Sequence, residues 1–248
     1  MKVSVLASGS SGNCTYIDSG KKILIDAGIS YKRIQESLFR LNTDIAEIDG
    51  IFITHEHSDH VRGLATIKKR TKIPIFIHEK TFDKLKLERT CEIFFNKTIK
   101  LDNFSIEPLE IEHDAVNPYS FIIDDGEKKV GSITDLGRIN SSIKYWVNKV
   151  DCCILESNHD TDMLLKGRYP YHLKQRILGP LGHLSNADAS LLIREYSSIN
   201  LKNVFLAHIS ENNNTKPLAM EMFTKINEVL KLNTIMTYQE KETELIEI

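Results

Sequence analysis

Four apolar runs in this chain end on a histidine or an aspartate, and that pattern narrows what the chain can fold into. GIFIT (50–54) leads directly into HEHSDH (55–60), FSIEPLEIEH closes on His113, KVGSITD on Asp135 and NVFLAH on His208. Short runs rich in Ile, Val and Phe and bounded by polar turns read as strands. Strands that stop at metal-ligating residue types suit a sheet protein whose strand ends meet along one rim. A lone histidine after a strand is more often a surface or core residue. Here the ending recurs, beside a loop that holds three of the nine histidines in the chain.

The remaining segments support the same architecture. VSVLA (3–7), TYID (15–18), KILID (22–26), IPIFI (73–77), EIFF (92–95), SFIID (120–124) and DCCILES (151–157) read as further strands. Helical spacing predicts helices over 30–41, 61–70, 139–150, 186–196 and 215–232, with Ser30 as an N-cap and Pro217 in a first turn. Both halves run strands, helix, then a strand ending in polar residues. This predicts an α/β fold of two packed sheets with helices outside, an αββα sandwich, as one domain over residues 1–248.

A net charge of −2 argues against nucleic-acid binding through overall basicity, and leaves a local basic patch open. Cys14, Cys91, Cys152 and Cys153 show no CxxC spacing and read as reduced, in a cytoplasmic protein. The start MKVSVLASGSSGN lacks the apolar core of a signal peptide, and no apolar run approaches the ~18 residues of a membrane span. The oligomeric state cannot be read from the sequence.

His55 and His57 lie two residues apart, so on a helix they would diverge; in a loop leaving a strand they can converge on one cation. Asp59 and His60 follow at once. So short a chain cannot wrap one metal with all four, but two neighbouring cations would use them. Two cations need more ligands, and the strand ends at His113, Asp135 and His208 supply them. Such a pair lowers the pKa of water, and Asp59 is the candidate base. A leaving group would need a proton donor as well. Residues 163–184 carry Lys166, Arg168, Lys174 and Arg176 with no acid, plus Tyr169 and Tyr171, a composition suited to phosphate and base contacts. Lys174 and Arg176 are the candidate substrate contacts; the alternative is an amphipathic helix with a solvated basic face. GSSGN (9–13) is either a phosphate-facing loop or a tight turn. His159 and Asn158 have no assigned role, and His78 and His172 read as structural or surface residues.

Together, HxHxDH at 55–60, His113, the Asp of TDLG at 135 and His208 resemble the metallo-β-lactamase fold. That resemblance implies a four-layered αββα sandwich in which His55, His57 and His113 hold one divalent metal. Asp59, His60 and His208 hold the other, and Asp135 bridges them; the metals are zinc, manganese or iron. ASGSSGNCTYI, LIDAGIS, LESNHD, YPYHLKQRILGPLGHLSN and LAHISENNN further resemble the bacterial YycJ/WalJ-type proteins. This implies a cytoplasmic metal-dependent nuclease with 5′-to-3′ exonuclease action on DNA and a link to mismatch repair. His183, in GHLSN, resembles the non-ligand histidine of phosphodiesterase members such as the tRNA 3′-processing nucleases, which makes it the candidate proton donor; the alternative is a histidine that caps the following helix. Glu156 resembles the acid that orients that histidine; the alternative is a simple strand-end carboxylate. The stretch between Asp135 and His183 leaves no room for the insertion of β-CASP nucleases. Competing functions are an RNA or small-molecule phosphodiesterase, a thioester or lactam hydrolase, and a non-catalytic binding module.

Overall fold

The computed structural model describes residues 1–102 and 104–248. In chain order, the first part comprises β1 (Lys2–Ala7), β2 (Cys14–Asp18), β3 (Lys22–Ile25), α1 (Tyr31–Arg40), β4 (Gly50–Phe52), α2 (Ser58–Val61), α3 (Leu64–Arg70), β5 (Ile75–Ile77), α4 (Glu79–Leu85), β6 (Glu92–Phe94) and β7 (Ile99–Leu101). The second part comprises β8 (Phe104–Glu110), β9 (Tyr119–Asp124), β10 (Lys129–Ile133), α5 (Ser141–Val147), β11 (Cys152–Glu156), α6 (Thr161–Lys166), α7 (Tyr171–Leu178), α8 (Asn186–Tyr196), β12 (Asn203–Ala207), α9 (Lys216–Leu230), β13 (Asn233–Met236) and β14 (Ile246–Glu247).

These strands form two seven-stranded sheets, ordered β14-β1-β2-β3-β4-β5-β6 and β13-β12-β11-β10-β9-β8-β7. Each sheet is antiparallel up to one strand and parallel beyond it, the change falling at β3 in the first and β10 in the second. Alternation along β1 shows how the layers arise. Val3 and Val5 pack between the sheets, while Leu6 packs outward against helices. Phe52 stacks on Phe76 at 4.4 Å between ring centroids and meets Phe121 of the other sheet edge-on at 5.9 Å. Ile34 and Leu38 of α1, Ile67 of α3 and Phe82 of α4 cover the first sheet. Ile143 of α5, Leu192 of α8 and Phe223 of α9 cover the second. Two helical layers outside two sheets make the expected αββα sandwich.

The helix expected over 61–70 is interrupted. Val61 ends α2 and Gly63 precedes α3, because the chain must pass close to the loop after β3: a Cβ at Gly63 would lie 2.3 Å from the Ile29 carbonyl oxygen. β7, β13 and β14 were not expected; with two to four residues each and only partial burial, they are too short for an apolar pattern to mark them as strands. No helix among the described residues is long and apolar enough to cross a membrane.

Candidate metal centre

Past β4 the chain leaves the sheet, and residues 54–60 fold over the strand ends, with His57 as the N-cap residue of α2. His55 and His60 are fully buried, and Asp26, the first residue past β3, holds both. Its carboxylate accepts the Thr54 backbone N–H at 2.9 Å, the Thr54 hydroxyl at 2.9 and 3.0 Å and His60 Nδ1–H at 2.7 Å. His55 Nδ1–H donates to the same hydroxyl at 2.9 Å. With Nδ1 engaged on each ring, Nε2 is left to face the site, the arrangement that orients a histidine ligand.

The second sheet supplies the rest from separate strand ends. His113 follows β8 and donates Nδ1–H to the Gly182 carbonyl at 3.2 Å. Asp135 follows β10 and His208 follows β12. Glu156, the last residue of β11, is fully buried. Its Oε1 accepts Nδ1–H from both His208 and His183 at 2.8 Å, and its Oε2 accepts the N–H groups of Leu136 at 2.9 Å and Leu184 at 3.0 Å. The loop after β1 then joins the two rims. Ser8 Oγ accepts the His208 backbone N–H at 2.7 Å and donates to Asn13 Oδ1 at 3.3 Å; Asn13 Nδ2 lies 3.2 Å from Asp59 Oδ2.

All seven residues expected as ligands come together. Ligand atoms of His55, His57 and His113 lie within 4.8 Å of one another, as do those of Asp59, His60 and His208, and those of His55, His60 and Asp135. His60 Nε2 is 3.2 Å from Asp135 Oδ2 and 3.4 Å from Asp59 Oδ2, and His208 Nε2 is 3.5 Å from Asp59 Oδ2. A divalent cation fits this donor set. Nε2 of His55, His113 and His208 and Oδ2 of Asp135 are buried with no hydrogen-bond partner among the described residues, a cost that coordination removes. Charge points the same way. Burial opposes charging of His60 and His208, yet the surrounding carboxylates, Asp135 foremost for His208 and Asp26 for His60, raise both well above the ordinary imidazole range. A cation would take the place of those protons. Burial pushes the Glu156 carboxyl up, but His183 and His208 outweigh it and hold it at about 2.

Glu156 and His183 also lie within ligand distance of Asp135 and His208. Glu156, however, already accepts four hydrogen bonds, and His183 lines the adjoining cavity of about 240 Å³ together with Tyr169, Leu173 and Arg176. Arg176 reaches this cavity, paired with Asp114. Lys174 does not line it; its Nζ donates to the Leu165 carbonyl at 2.6 Å. The 9–13 loop turns its amides inward: Gly9 N–H donates to Asn13 Oδ1, Gly12 N–H to the Gly9 carbonyl and Asn13 N–H to the Asp59 carbonyl. Asn158 lines the cavity and donates Nδ2–H to the His208 carbonyl at 2.8 Å. Asp26, Thr54 and Ser8 were not anticipated, nor was the bracing role of the Asn13 side chain. Asp26 carried the signal used elsewhere, an apolar run stopping at an acid, in KILID.

A family model described as a β-lactamase superfamily domain matches residues 21–209, a span that contains every ligand candidate. The chain belongs to that superfamily. Among curated relatives of this β-lactamase superfamily member, exodeoxyribonuclease WalJ of Streptococcus pneumoniae is 39% identical over 231 residues, covering 88% of this chain and 85% of that protein. Exodeoxyribonuclease YycJ of Bacillus anthracis is 34% identical over 235 residues, covering 91% and 88%. The solved metallo-β-lactamase fold protein YhfI of Bacillus subtilis aligns with a TM-score of 0.72 at 16% identity over 98% of both chains. The protein is accordingly a metal-dependent hydrolase of the metallo-β-lactamase fold.

Proposed function

We propose that this hydrolase is a phosphodiesterase acting as a 5′-to-3′ DNA exonuclease, in the cytoplasm, with a role in mismatch repair, and that residues 1–248 work as one domain. The observation that carries the reading is the pair of hydrogen bonds at Glu156 Oε1, which sets a ligand candidate, His208, and a cavity histidine, His183, on one carboxylate oxygen. Such a site offers cation binding and a proton donor side by side, as cleavage of a phosphodiester requires. The exodeoxyribonuclease relatives favour DNA.

His55, His57 and His113 would hold one divalent cation and Asp59, His60 and His208 a second, with Asp135 shared; zinc, manganese and iron all suit such donors. Bound there, the cations supply Lewis acidity toward phosphoryl oxygens and make water more acidic. Asp59 accepts the proton of the attacking water. His183, fixed through Nδ1 by Glu156, delivers a proton from Nε2 to the leaving 3′-oxygen. Arg176 contacts phosphate once it leaves Asp114.

The cavity of about 240 Å³ lies below the usual size of ligand pockets and suits a chain end over a duplex. The same feature favours a second reading, a cyclic or otherwise small phosphodiester, or an RNA end. Nothing in the site calls for a lactam or thioester. The test is hydrolysis of end-labelled single- and double-stranded DNA and RNA with Mn²⁺, Zn²⁺ or Fe²⁺. Release of mononucleotides from the 5′ end of DNA supports the first reading; turnover of small phosphodiesters without any action on DNA overturns it.

A further inference from the structure

A second cavity, of about 360 Å³, opens beside the metal centre and meets it at Ser210, which lines both. It is enclosed by Ser8, residues of the segment from Ile209 to Lys216, the first residue of α9, and residues 237–241. Tyr238 stands in its wall, its carbonyl accepting the Ser8 N–H at 2.9 Å, and Ser8 in turn accepts the His208 N–H. Lys216 Nζ lies 4.0 Å and Lys241 Nζ 4.2 Å from the centroid of the Tyr238 ring. Cation–π attraction thus gathers two ammonium groups that would otherwise repel. Among the described residues neither is engaged in an ion pair. Glu211 and Glu240 line the same cavity; both are exposed, make no hydrogen bond or ion pair among the described residues, and are free to turn to solvent.

The metal-centre cavity has room for little beyond a chain end, so the rest of a bound strand has to leave it, and the opening at Ser210 is one way out. We propose that the second cavity is a phosphate subsite for that strand, with Lys216 and Lys241 contacting a phosphodiester next to the one at the metal centre and Tyr238 holding both lysines in place. The proposal rests on the nuclease reading above. Apart from Ile209, the lining of this cavity lies outside the span matched by the family model.

The test compares the wild type with K216Q/K241Q, both metal-loaded. Binding of single-stranded oligothymidylates of increasing length is followed by fluorescence anisotropy over a range of salt, and turnover of an oligothymidylate is set against the p-nitrophenyl ester of thymidine 5′-monophosphate. The double variant is expected to bind the longer oligonucleotides about tenfold more weakly, with a salt slope smaller by about 1 to 2. Its loss of kcat/KM should be several-fold greater for the oligonucleotide than for the ester. K216R/K241R and Y238F should retain binding, and Y238L should lose it. Equal losses on both substrates, or unchanged oligonucleotide binding, overturn the subsite. A wild type that hydrolyses the ester and neither binds nor degrades DNA overturns the nuclease reading together with the subsite. A wild type that degrades DNA alongside an indistinguishable double variant overturns the subsite alone.

Discussion

Asp26 and Asp135 occupy like places in the two sheets. Each follows the strand where its sheet changes from antiparallel to parallel, and each takes a left-handed backbone conformation, with φ of 63° and 56°, which non-glycine residues adopt rarely. Asp26 is saturated with hydrogen bonds from Thr54 and His60, whereas Asp135 turns an unpartnered oxygen into the cluster. A second pair sharpens the contrast. His78 follows β5 as His208 follows β12, yet His78 caps α4, its Nδ1 accepting the Lys80 N–H at 3.3 Å, and packs near the Tyr119 ring. The first sheet therefore puts its ligand candidates into one loop and uses a strand end to brace it, while the second spends its strand ends on the site itself. Like position does not confer like role; the neighbouring partners do.

The comparison can be broken experimentally. Asp59 belongs to the first rim and is assigned the base, so D59N should lower turnover by about 10⁴-fold while circular dichroism and melting temperature stay near those of the wild type; intact activity removes the assignment. H183A should retain bound metal and lose about 10²-fold in kcat; metal loss, measured by plasma emission spectrometry, would instead make it a ligand. D26N tests bracing against ligation. It should weaken metal affinity by about 10- to 100-fold through its histidines, with stoichiometry restored at high metal, whereas D135N should lower the stoichiometry itself. H78A should cost about 1 kcal/mol in denaturant unfolding, as loss of a cap does, with metal content unaltered; a drop in metal content would undo the contrast with His208.

The smallest effect concerns the segment that leads into β14, beside the first sheet. Arg40 hydrogen-bonds Glu242 and holds its carboxyl down at about 2, well below the ordinary 4.5. A depressed carboxyl stabilises the fold above its ordinary value, and that contribution is lost as pH falls toward about 2. E242Q should therefore cost no more than about 1 kcal/mol at neutral pH, given partial exposure, and flatten the fall in melting temperature between about pH 4.5 and 2. An unchanged acid profile removes the pair from the account.

The ligand candidates were legible because each stands where an apolar run stops, and that ending is local in sequence. Asp26 ends a run in the same way and was passed over, since a solitary acid before Ala-Gly also reads as a turn. His183 and Glu156 were found by resemblance alone. Their link to His208 spans 52 positions, and no spacing rule reports it. Lys174 and Arg176 were paired as substrate contacts, yet residues two apart on a helix point to different sides, and of the two α7 turns only Arg176 to the cavity. Short edge strands were missed because two to four residues are too few to display a period.

One oxygen of Glu156 serves two imidazoles, and this makes an interlock. The carboxylate cannot swing to follow one ring without loosening its hold on the other, so any displacement of His208 on the rim is passed to His183 in the cavity.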